Sequence, residues 1–265
     1  MPRSKALLNV LNLIDASVEE LPVEKQFLND LKMSIERNDE KGQRKPSPSY
    51  KPSSMHCIRN MYFQITGAPI ANTGTSSELV GICESGTDRH IRIQDAVAAM
   101  KENNIDCEYV NVADYVREHG LTDRLNIVSQ QGNETKLYHK TLNMSFLCDG
   151  IIRYKGKYYI LEIKTETSNK YWDQNDVRPE HKLQGIAYSV AFDIDNVIFL
   201  YENRDNCSKK AFMFHVTDDM KQDLVGKITE CDLYVKNQVA PPKPEIDKKT
   251  CAYCAYAEIC KKYES

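Results

Sequence analysis

Three charged side chains interrupt a stretch of sequence that is otherwise typical of buried β-strands. The segment CDGIIRYKGKYYILEIKT spans residues 148–165 and contains Asp149, Glu162 and Lys164. Two carboxylates held close together repel each other unless a proton or a cation lies between them, and hard oxygen ligands favour Mg²⁺ or Mn²⁺. An ammonium group beside such a pair can position a water molecule and offset negative charge in a transition state.

These side chains converge if the segment folds as a hairpin. Lys155-Gly156 is a candidate two-residue turn, and residues whose numbers sum to 311 then face one another. Asp149 and Glu162 satisfy that sum, so their Cβ atoms should lie about 4.5–5.5 Å apart, with Lys164 on the face of Glu162. The alternative is a surface hairpin in which Glu162 pairs with Lys164. The apolar flank YYILEIKT favours a central strand, where unpaired charges are costly.

The same residues resemble a known pattern. D-x(12)-E-x-K, with CDG opening the first strand and EIKT ending the second, resembles the PD-(D/E)xK nuclease superfamily, although Cys148 stands where Pro is common. Downstream, HKLQGIAY places Gln184 and Tyr188 on one helical face, similar to the QxxxY motif of the RecB-like branch. Upstream, His90 follows GTDR and is similar to the histidine that those enzymes carry as a further metal ligand.

Four cysteines form a second candidate site. CAYCAYAEIC contains Cys251, Cys254 and Cys260, and three thiolates leave a tetrahedral metal site one ligand short. Cys57 in SSMHCIRNMYF is the expected fourth ligand, with His56 as a competitor. Spacing alone leaves zinc, an iron–sulfur cluster and free thiols open. The order of one cysteine before the core and three after it resembles the iron–sulfur staple of the CRISPR-adaptation exonucleases and the AddB nuclease domain, which implies a [4Fe–4S] cluster.

Hydrophobic periodicity and turn residues predict the elements that position these groups. The 86–104 helix should begin after Gly86-Thr87, with His90 in its first turn, and the 178–192 helix should begin at Pro179. A loop-rich, partly helical stretch is expected before the hairpin. The other predicted elements are two helices within 5–38 separated by Pro22, a Pro/Ser-rich linker over 38–54, strands over 196–203 and 210–217, and a last helix from Thr217.

Length, composition and net charge limit the class of protein. With 265 residues and 41% apolar composition, the chain can bury one large core. No segment is apolar enough to span a bilayer and no signal-peptide pattern is present, so we expect a soluble, cytoplasmic protein. A net charge of -3 neither supports nor excludes a DNA partner. The cysteines without ligand spacing are expected to be small buried apolar residues: Cys83, Cys107, Cys148, Cys207 and Cys231.

The resemblance implies an α/β, restriction-endonuclease-like fold. Its central mixed sheet would be flanked by helices, with a C-terminal cysteine-ligated cluster subdomain and an N-terminal helical extension. The corresponding regions are an extension and linker over 1–45, a nuclease core over 53–240, and an iron–sulfur segment over 241–265 that Cys57 completes. The N-terminal extension is also a candidate surface for a protein partner.

The resemblance also implies roles for the residues. His90, Asp149, Glu162 and the Ile163 carbonyl would hold Mg²⁺ or Mn²⁺, and Lys164 would act on the attacking water. Gln184 and Tyr188 would hold the DNA strand or the Lys164 side chain, and the nearby Tyr171 and Trp172 are candidates for base stacking or for ordinary packing. The implied activity is exonucleolytic cleavage of single-stranded DNA or duplex ends. The alternative is a non-cleaving DNA-binding or assembly scaffold with a structural zinc or iron–sulfur site.

Overall fold

The computed structural model describes residues 22–42, 48–70, 76–246, 250–251 and 254–263. Contacts divide these residues into two compact units. One contains the described residues up to 44 and those of 73–83, and the other contains those of 45–72 and 84–265. None of the helices in the described ranges is long and apolar enough to cross a membrane.

The smaller unit is built on one long helix, α1 (Val23–Gly42), which begins directly after Pro22. Lys32 of α1 forms an ion pair with Glu78 (2.6 Å), and the backbone N–H of Ser77 donates to Glu36 (3.0 Å). The predicted helix after Pro22 is therefore confirmed and is longer than expected. The predicted helix before Pro22 lies outside the described residues.

The central sheet of the larger unit has five strands and is mixed. Its strands are β1 (Cys107–Val110), β5 (Gly150–Tyr154), β6 (Lys157–Glu166), β7 (Asn196–Asn203) and β8 (Lys209–His215), in that spatial order. Only the β6–β7 pair is parallel. The segment YYILEIKT therefore lies in the middle of the sheet, as its apolar composition predicts.

Helices cover both faces of the central sheet. Successive residues of β6 point to opposite faces, and each face has its own buried cluster. Ile160 belongs to the cluster that contains Ala187 of α6 (Pro179–Phe192), and Leu161 belongs to the cluster that contains Ile93 of α3 (Ser77–Ala98). Helix α6 begins at Pro179 as predicted. Helix α7 (Asp218–Asn237) follows Thr217, whose side chain accepts a hydrogen bond from Met220 N (3.4 Å).

The β5–β6 hairpin has the predicted register. Lys155 and Gly156 both have positive φ (49° and 76°), which two-residue hairpin turns of type I′ require. The pairs run from Tyr154↔Lys157 to Gly150↔Leu161, all with residue numbers that sum to 311.

A second, three-stranded antiparallel sheet occupies the stretch that we expected to be loop-rich and partly helical. Its strands are β2 (Leu125–Gln131), β3 (Glu134–His139) and β4 (Met144–Cys148). Residues of β3 alternate between half-buried and buried, and Phe146 of β4 packs on Tyr188 and Phe192 of α6. The prediction was wrong because the apolar pattern of these strands is weak: the buried residues of β3 include Thr135 and His139, whereas Val128 of β2 and Leu147 of β4 are exposed.

Two other predictions at the start of the core were wrong. Helix α3 begins at Ser77, so His90 lies in its fourth turn. The helix continues through Gly81 and Gly86, because an interior glycine costs a helix only about 1 kcal/mol. The end of the predicted 38–54 linker is packed into the larger unit. Tyr50 is fully buried and its hydroxyl donates to Asp232 (2.6 Å).

The remaining α-helices of the described residues are short; one precedes the strands, and the others connect the strands or follow them. They are α2 (Ile58–Ile65), α4 (Val112–Glu118), α5 (Ser168–Trp172) and α8 (Ala257–Lys262). Helix α2 begins after Cys57, whose sulfur accepts a hydrogen bond from Asn60 N. One of the candidate metal ligands is therefore also a helix cap.

Candidate functional site

Asp149 and Glu162 lie opposite each other at the open end of the hairpin. Each is the next residue after the last register pair, Gly150↔Leu161, and both are buried. One oxygen of Asp149 accepts from the Ile163 N–H (2.7 Å), and the other lies 3.1 Å from Nδ1 of His90. The structure therefore places His90 in contact with Asp149 and places Glu162 opposite Asp149.

The backbone of Asp149 is held by two residues that the sequence did not single out. Its carbonyl accepts hydrogen bonds from Nε2 of Gln94 (2.8 Å) and from the hydroxyl of Tyr109. A Cβ atom at Gly150 would overlap the Tyr109 ring, so glycine is required for this close approach. Gln94 lies one helical turn after His90, on the same face of α3, and this spacing is the signal that could have identified it.

Lys164 connects the acidic pair to helix α6. Its ammonium donates to Oε1 of Glu162 (2.5 Å) and to Oε1 of Gln184 (2.8 Å). Nε2 of Gln184 donates to the hydroxyl of Tyr188 (2.6 Å), which in turn donates to the Leu147 carbonyl (2.8 Å). Hydrogen bonds thus connect the Gln/Tyr pair to Lys164, and the role of the pair stays a prediction.

Burial and like charge shape the electrostatics of this site. Burial raises the pKa of Glu162 to about 7, with the charge of Asp149 adding to the shift and Lys164 opposing it. Burial alone would lower the pKa of His90, but the hydrogen bond and charge of Asp149 outweigh burial and raise it. Both shifts mean that negative charge is poorly compensated in this pocket.

A third carboxylate, Glu134, faces the same region. Thr135 pairs with Cys148 in the β3–β4 ladder, so extending that register by one residue places Glu134 opposite Asp149. Burial and the charge of Asp149 raise the pKa of Glu134. Glu134 was not among the predicted site residues, because β3 was not predicted.

The residues of this pocket fit a divalent cation by their chemistry. Oε2 of Glu162 is buried and has no hydrogen-bond partner, and an unpartnered buried carboxylate oxygen is costly unless a cation binds it. The carboxylates of Asp149 and Glu162 and the imidazole of His90 are suitable donors for Mg²⁺ or Mn²⁺. Among the described residues, no three His, Cys, Asp or Glu side chains already converge as a metal-ligand set.

The four predicted cluster cysteines line one cavity. Cys57, Cys251, Cys254 and Cys260 contribute to the wall of a cavity of about 490 Å³ in the larger unit. His56, the competing ligand, instead lies 3.2 Å from the Ser53 carbonyl. The fold therefore gathers sulfur atoms from positions almost at opposite ends of the described chain.

Polar donors of α2 approach these sulfur atoms. Sγ of Cys260 accepts from the guanidinium of Arg59 (3.5 Å), and Sγ of Cys254 accepts from the side chain of Asn60 (3.5 Å). Burial raises the pKa of Cys57, although hydrogen bonds from the α2 backbone oppose the shift. The chemistry of four thiols with N–H donors fits a tetrahedral zinc or an iron–sulfur cluster.

The other predicted cysteine and aromatic residues behave differently. Cys107, Cys148 and Cys231 are buried as predicted, whereas Cys83 and Cys207 are exposed, so that part of the prediction was wrong. Tyr171 is buried, with the ammonium of Lys210 over its ring (4.3 Å), which leaves it unable to stack on a base. Trp172 is exposed over 61% of its surface and remains available for contact.

Comparison with known proteins gives structural similarity at low sequence identity. The crystal structure of SSO0001 matches with a TM-score of 0.49 and 17% identity over 89% of this chain and 97% of that chain. An alkaline exonuclease (LHK-Exo) from Laribacter hongkongensis matches with a TM-score of 0.42 and 11% identity over 73% of this chain and 90% of that chain. The complex of LHK-Exo with dAMP matches with a TM-score of 0.41 and 11% identity over 72% and 89% of the two chains.

Comparisons of sequence give no match. No protein-family model matches this chain, and no curated protein matches it. With TM-scores below 0.5, the structural similarities do not define the activity of this chain. Its function must be argued from the site.

Proposed function

We propose that this chain is a metal-dependent deoxyribonuclease that hydrolyses phosphodiester bonds as an exonuclease on single-stranded DNA or duplex ends. The observation that carries the proposal is the unpartnered, buried Oε2 of Glu162 beside Asp149 and Lys164. A repelling carboxylate pair in a central sheet has no packing benefit. Its presence is explained if the pair binds a cation that acts on a phosphate.

His90, Asp149, Glu162 and the Ile163 carbonyl would hold the cation. A bound Mg²⁺ or Mn²⁺ would polarise the scissile phosphate and lower the pKa of a bound water. The Ile163 N–H orients Asp149 by its hydrogen bond to one carboxylate oxygen. Gln94 and Tyr109 immobilise the backbone of the same residue, and such immobilisation is what a preorganised site requires.

Lys164 would supply a second positive charge in the pocket, in addition to that of the metal ion. It is held by Glu162 and Gln184 so that its ammonium remains inside the pocket. In that position it orients the attacking water and stabilises the negative charge that develops on the phosphate oxygens. Gln184 is fixed in turn by Tyr188, so the Gln/Tyr pair acts through Lys164.

Cleavage of end-labelled single-stranded and duplex DNA tests this proposal. The assay compares wild type in Mg²⁺, Mn²⁺ and EDTA with Lys164→Ala and with the matched control Lys221→Ala. Lys221 resembles Lys164 in exposure (22% against 19%) and in its 2.5 Å ion pair, here with Asp195. We expect metal-dependent cleavage that falls by about 10²–10³-fold in Lys164→Ala only. Equal cleavage by all three proteins would remove the mechanism, and DNA binding without cleavage would favour the scaffold alternative.

We also propose that the four cysteines bind a [4Fe–4S] cluster that joins the two ends of the core. The shared cavity and the N–H donors from α2 support this proposal, and the resemblance favours iron over zinc. The cluster should stabilise the fold, because it joins positions that are far apart in the sequence, and this role requires no redox chemistry. Anaerobically purified protein should be brown and contain iron, and Cys254→Ser should lose both properties. A colourless, zinc-loaded and active protein would show that zinc is the natural ligand.

A further inference from the structure

A fully buried carboxylate, Glu202, collects three cations at the end of β7. Its side chain has no exposed surface. Oε1 lies 2.9 Å from Arg89 and 2.6 Å from Arg92, and Oε2 lies 3.0 Å from Lys209. Burial alone would raise the pKa of Glu202, but the hydrogen bonds from the three cations outweigh burial and lower it. Glu202 is therefore the ionised anchor of a group with more positive than negative charge.

The three cations differ in how they use their remaining donors. Arg89 is mostly buried and also donates to the Arg204 carbonyl (2.8 Å), so its guanidinium is part of the framework. The side chains of Arg92 and Lys209 are exposed over 50% and 41% of their surface. Glu202 fixes the charged groups of both side chains, and Lys209 also donates to the Cys207 carbonyl (3.1 Å). The exposed Asp205 interacts with both Arg204 and Arg89, so the four cations and two carboxylates together keep an excess of two positive charges.

This cationic group lies beside the candidate active site. Arg89 and Arg92 flank His90 on helix α3. In the parallel β6–β7 ladder, Glu202 pairs with Thr165, the residue after Lys164. Thr165 lies three positions after Glu162, about 10 Å along the strand, and this odd offset places Glu202 on the sheet face that is covered by α3, the helix that carries His90 to Asp149. A chain of phosphates that enters the active site would pass within reach of this edge.

We propose that Arg92 and Lys209 bind the phosphate backbone of the nucleic-acid strand next to the scissile position, with Glu202 as the residue that positions them. This inference rests on the proposed nuclease function and extends it to a named substrate contact. A guanidinium held on one edge still offers donors in a fork that matches phosphate oxygens. Contacts of this type are independent of base sequence and release counterions, so they have a measurable salt dependence.

Equilibrium binding of a fluorescent single-stranded oligonucleotide across a KCl series tests the inference. All proteins carry Lys164→Ala, so that the DNA is not cleaved. The test variant adds Arg92→Ala and Lys209→Ala, and the control adds Arg153→Ala. Arg153 is a matched control for Arg92. Its side chain is 51% exposed, against 50% for Arg92, and its guanidinium also lies 2.6 Å from a carboxylate, that of Glu108 on β1.

We expect the variant without Arg92 and Lys209 to bind more weakly. Its slope of log Kd against log salt concentration should be reduced by about 1.4, since each lost single-strand phosphate contact contributes about 0.7. The Arg153 control should keep the parent slope. An unchanged slope in the double variant, an equal loss in the Arg153 control, or no binding by the parent would each overturn the inference.

The binding test can fail or succeed independently of the nuclease proposal. If wild type cleaves DNA while the double variant keeps the parent slope, only the phosphate contact is wrong. If the double variant loses slope while wild type never cleaves DNA in Mg²⁺ or Mn²⁺, the phosphate contact stands and the nuclease proposal fails. The two assays thus give distinguishable results.

Discussion

Replacing Glu162 by Gln should stabilise the metal-free protein and remove its thermal response to Mg²⁺. In the folded protein, Glu162 is buried next to Asp149 and one of its oxygens has no partner. Glutamine keeps the shape and can still accept the hydrogen bond of Lys164, but it carries no charge. The substitution therefore removes the cost of burying a charge, to which the repulsion by Asp149 adds.

The size of the effect follows from the pKa of Glu162. A value raised from 4.5 to about 7 corresponds to about 3 kcal/mol between folded and unfolded states. Because the folded pKa is the higher one, the folded state binds the extra proton, and this contribution is lost as the pH rises from 4.5 through 7. The variant should gain up to about 3 kcal/mol over wild type near about pH 8, and almost nothing below about pH 4.5.

Urea unfolding in EDTA and in saturating Mg²⁺ measures both effects. Wild type should gain stability from Mg²⁺, by about 2.7 kcal/mol at a concentration about 100-fold above Kd, whereas Glu162→Gln should gain little. Asp195→Asn, which removes a half-exposed carboxylate paired with Lys221, should keep the wild-type response to Mg²⁺. A Glu162→Gln protein that is less stable than wild type in EDTA near about pH 8, or that keeps the full Mg²⁺ response, would refute the reasoning.

Three further substitutions test the framework of the site by urea unfolding. Gly150→Ala should destabilise the protein by about 1–3 kcal/mol and reduce cleavage, because the added methyl group displaces Tyr109. The control Gly226→Ala, at a helical position with open space around it, should be neutral or stabilising by up to about 1 kcal/mol. Equal effects of the two substitutions would refute the proposed overlap. Glu202→Gln should cost about 2 kcal/mol at neutral pH, with the difference from wild type disappearing in acid because the folded pKa of Glu202 is lowered; a difference that persists in acid would contradict this. Tyr50→Phe should cost about 1 kcal/mol by losing its hydrogen bond to α7, and no loss would mean that the hydroxyl is equally well hydrated when unfolded.

The sequence alone determined the geometry of the hairpin and its acidic pair. The turn at Lys155-Gly156 requires two residues with positive φ, and a two-residue turn leaves one register for the strands. Asp149 and Glu162 are therefore brought together by local rules. The same is true of the Gln184–Tyr188 pair, because a single helical turn separates the two residues.

The tertiary structure decided which residues complete the site. The carbonyl of Asp149 is held by Gln94 from a helix that precedes it and by Tyr109 from another strand. Glu134 reaches the site on β3. The buried positions of β3 include Thr135 and His139, so its apolar pattern is too weak to predict the strand without the helices on which the sheet packs. Likewise, Tyr50 lies in a polar segment but is buried by elements distant in the chain.

Local periodicity reports only whether one face of a segment is apolar. It predicted α6, β7, β8 and the start of α7, because each of those elements has a strong pattern or a clear cap. It could not place the cations around Glu202, since their positions depend on packing between β7, β8 and a helix more than 100 residues earlier. The sequence context of Cys57 suggested that it joins the three late cysteines, but only the folding of both ends onto one core brings the four sulfur atoms to one cavity.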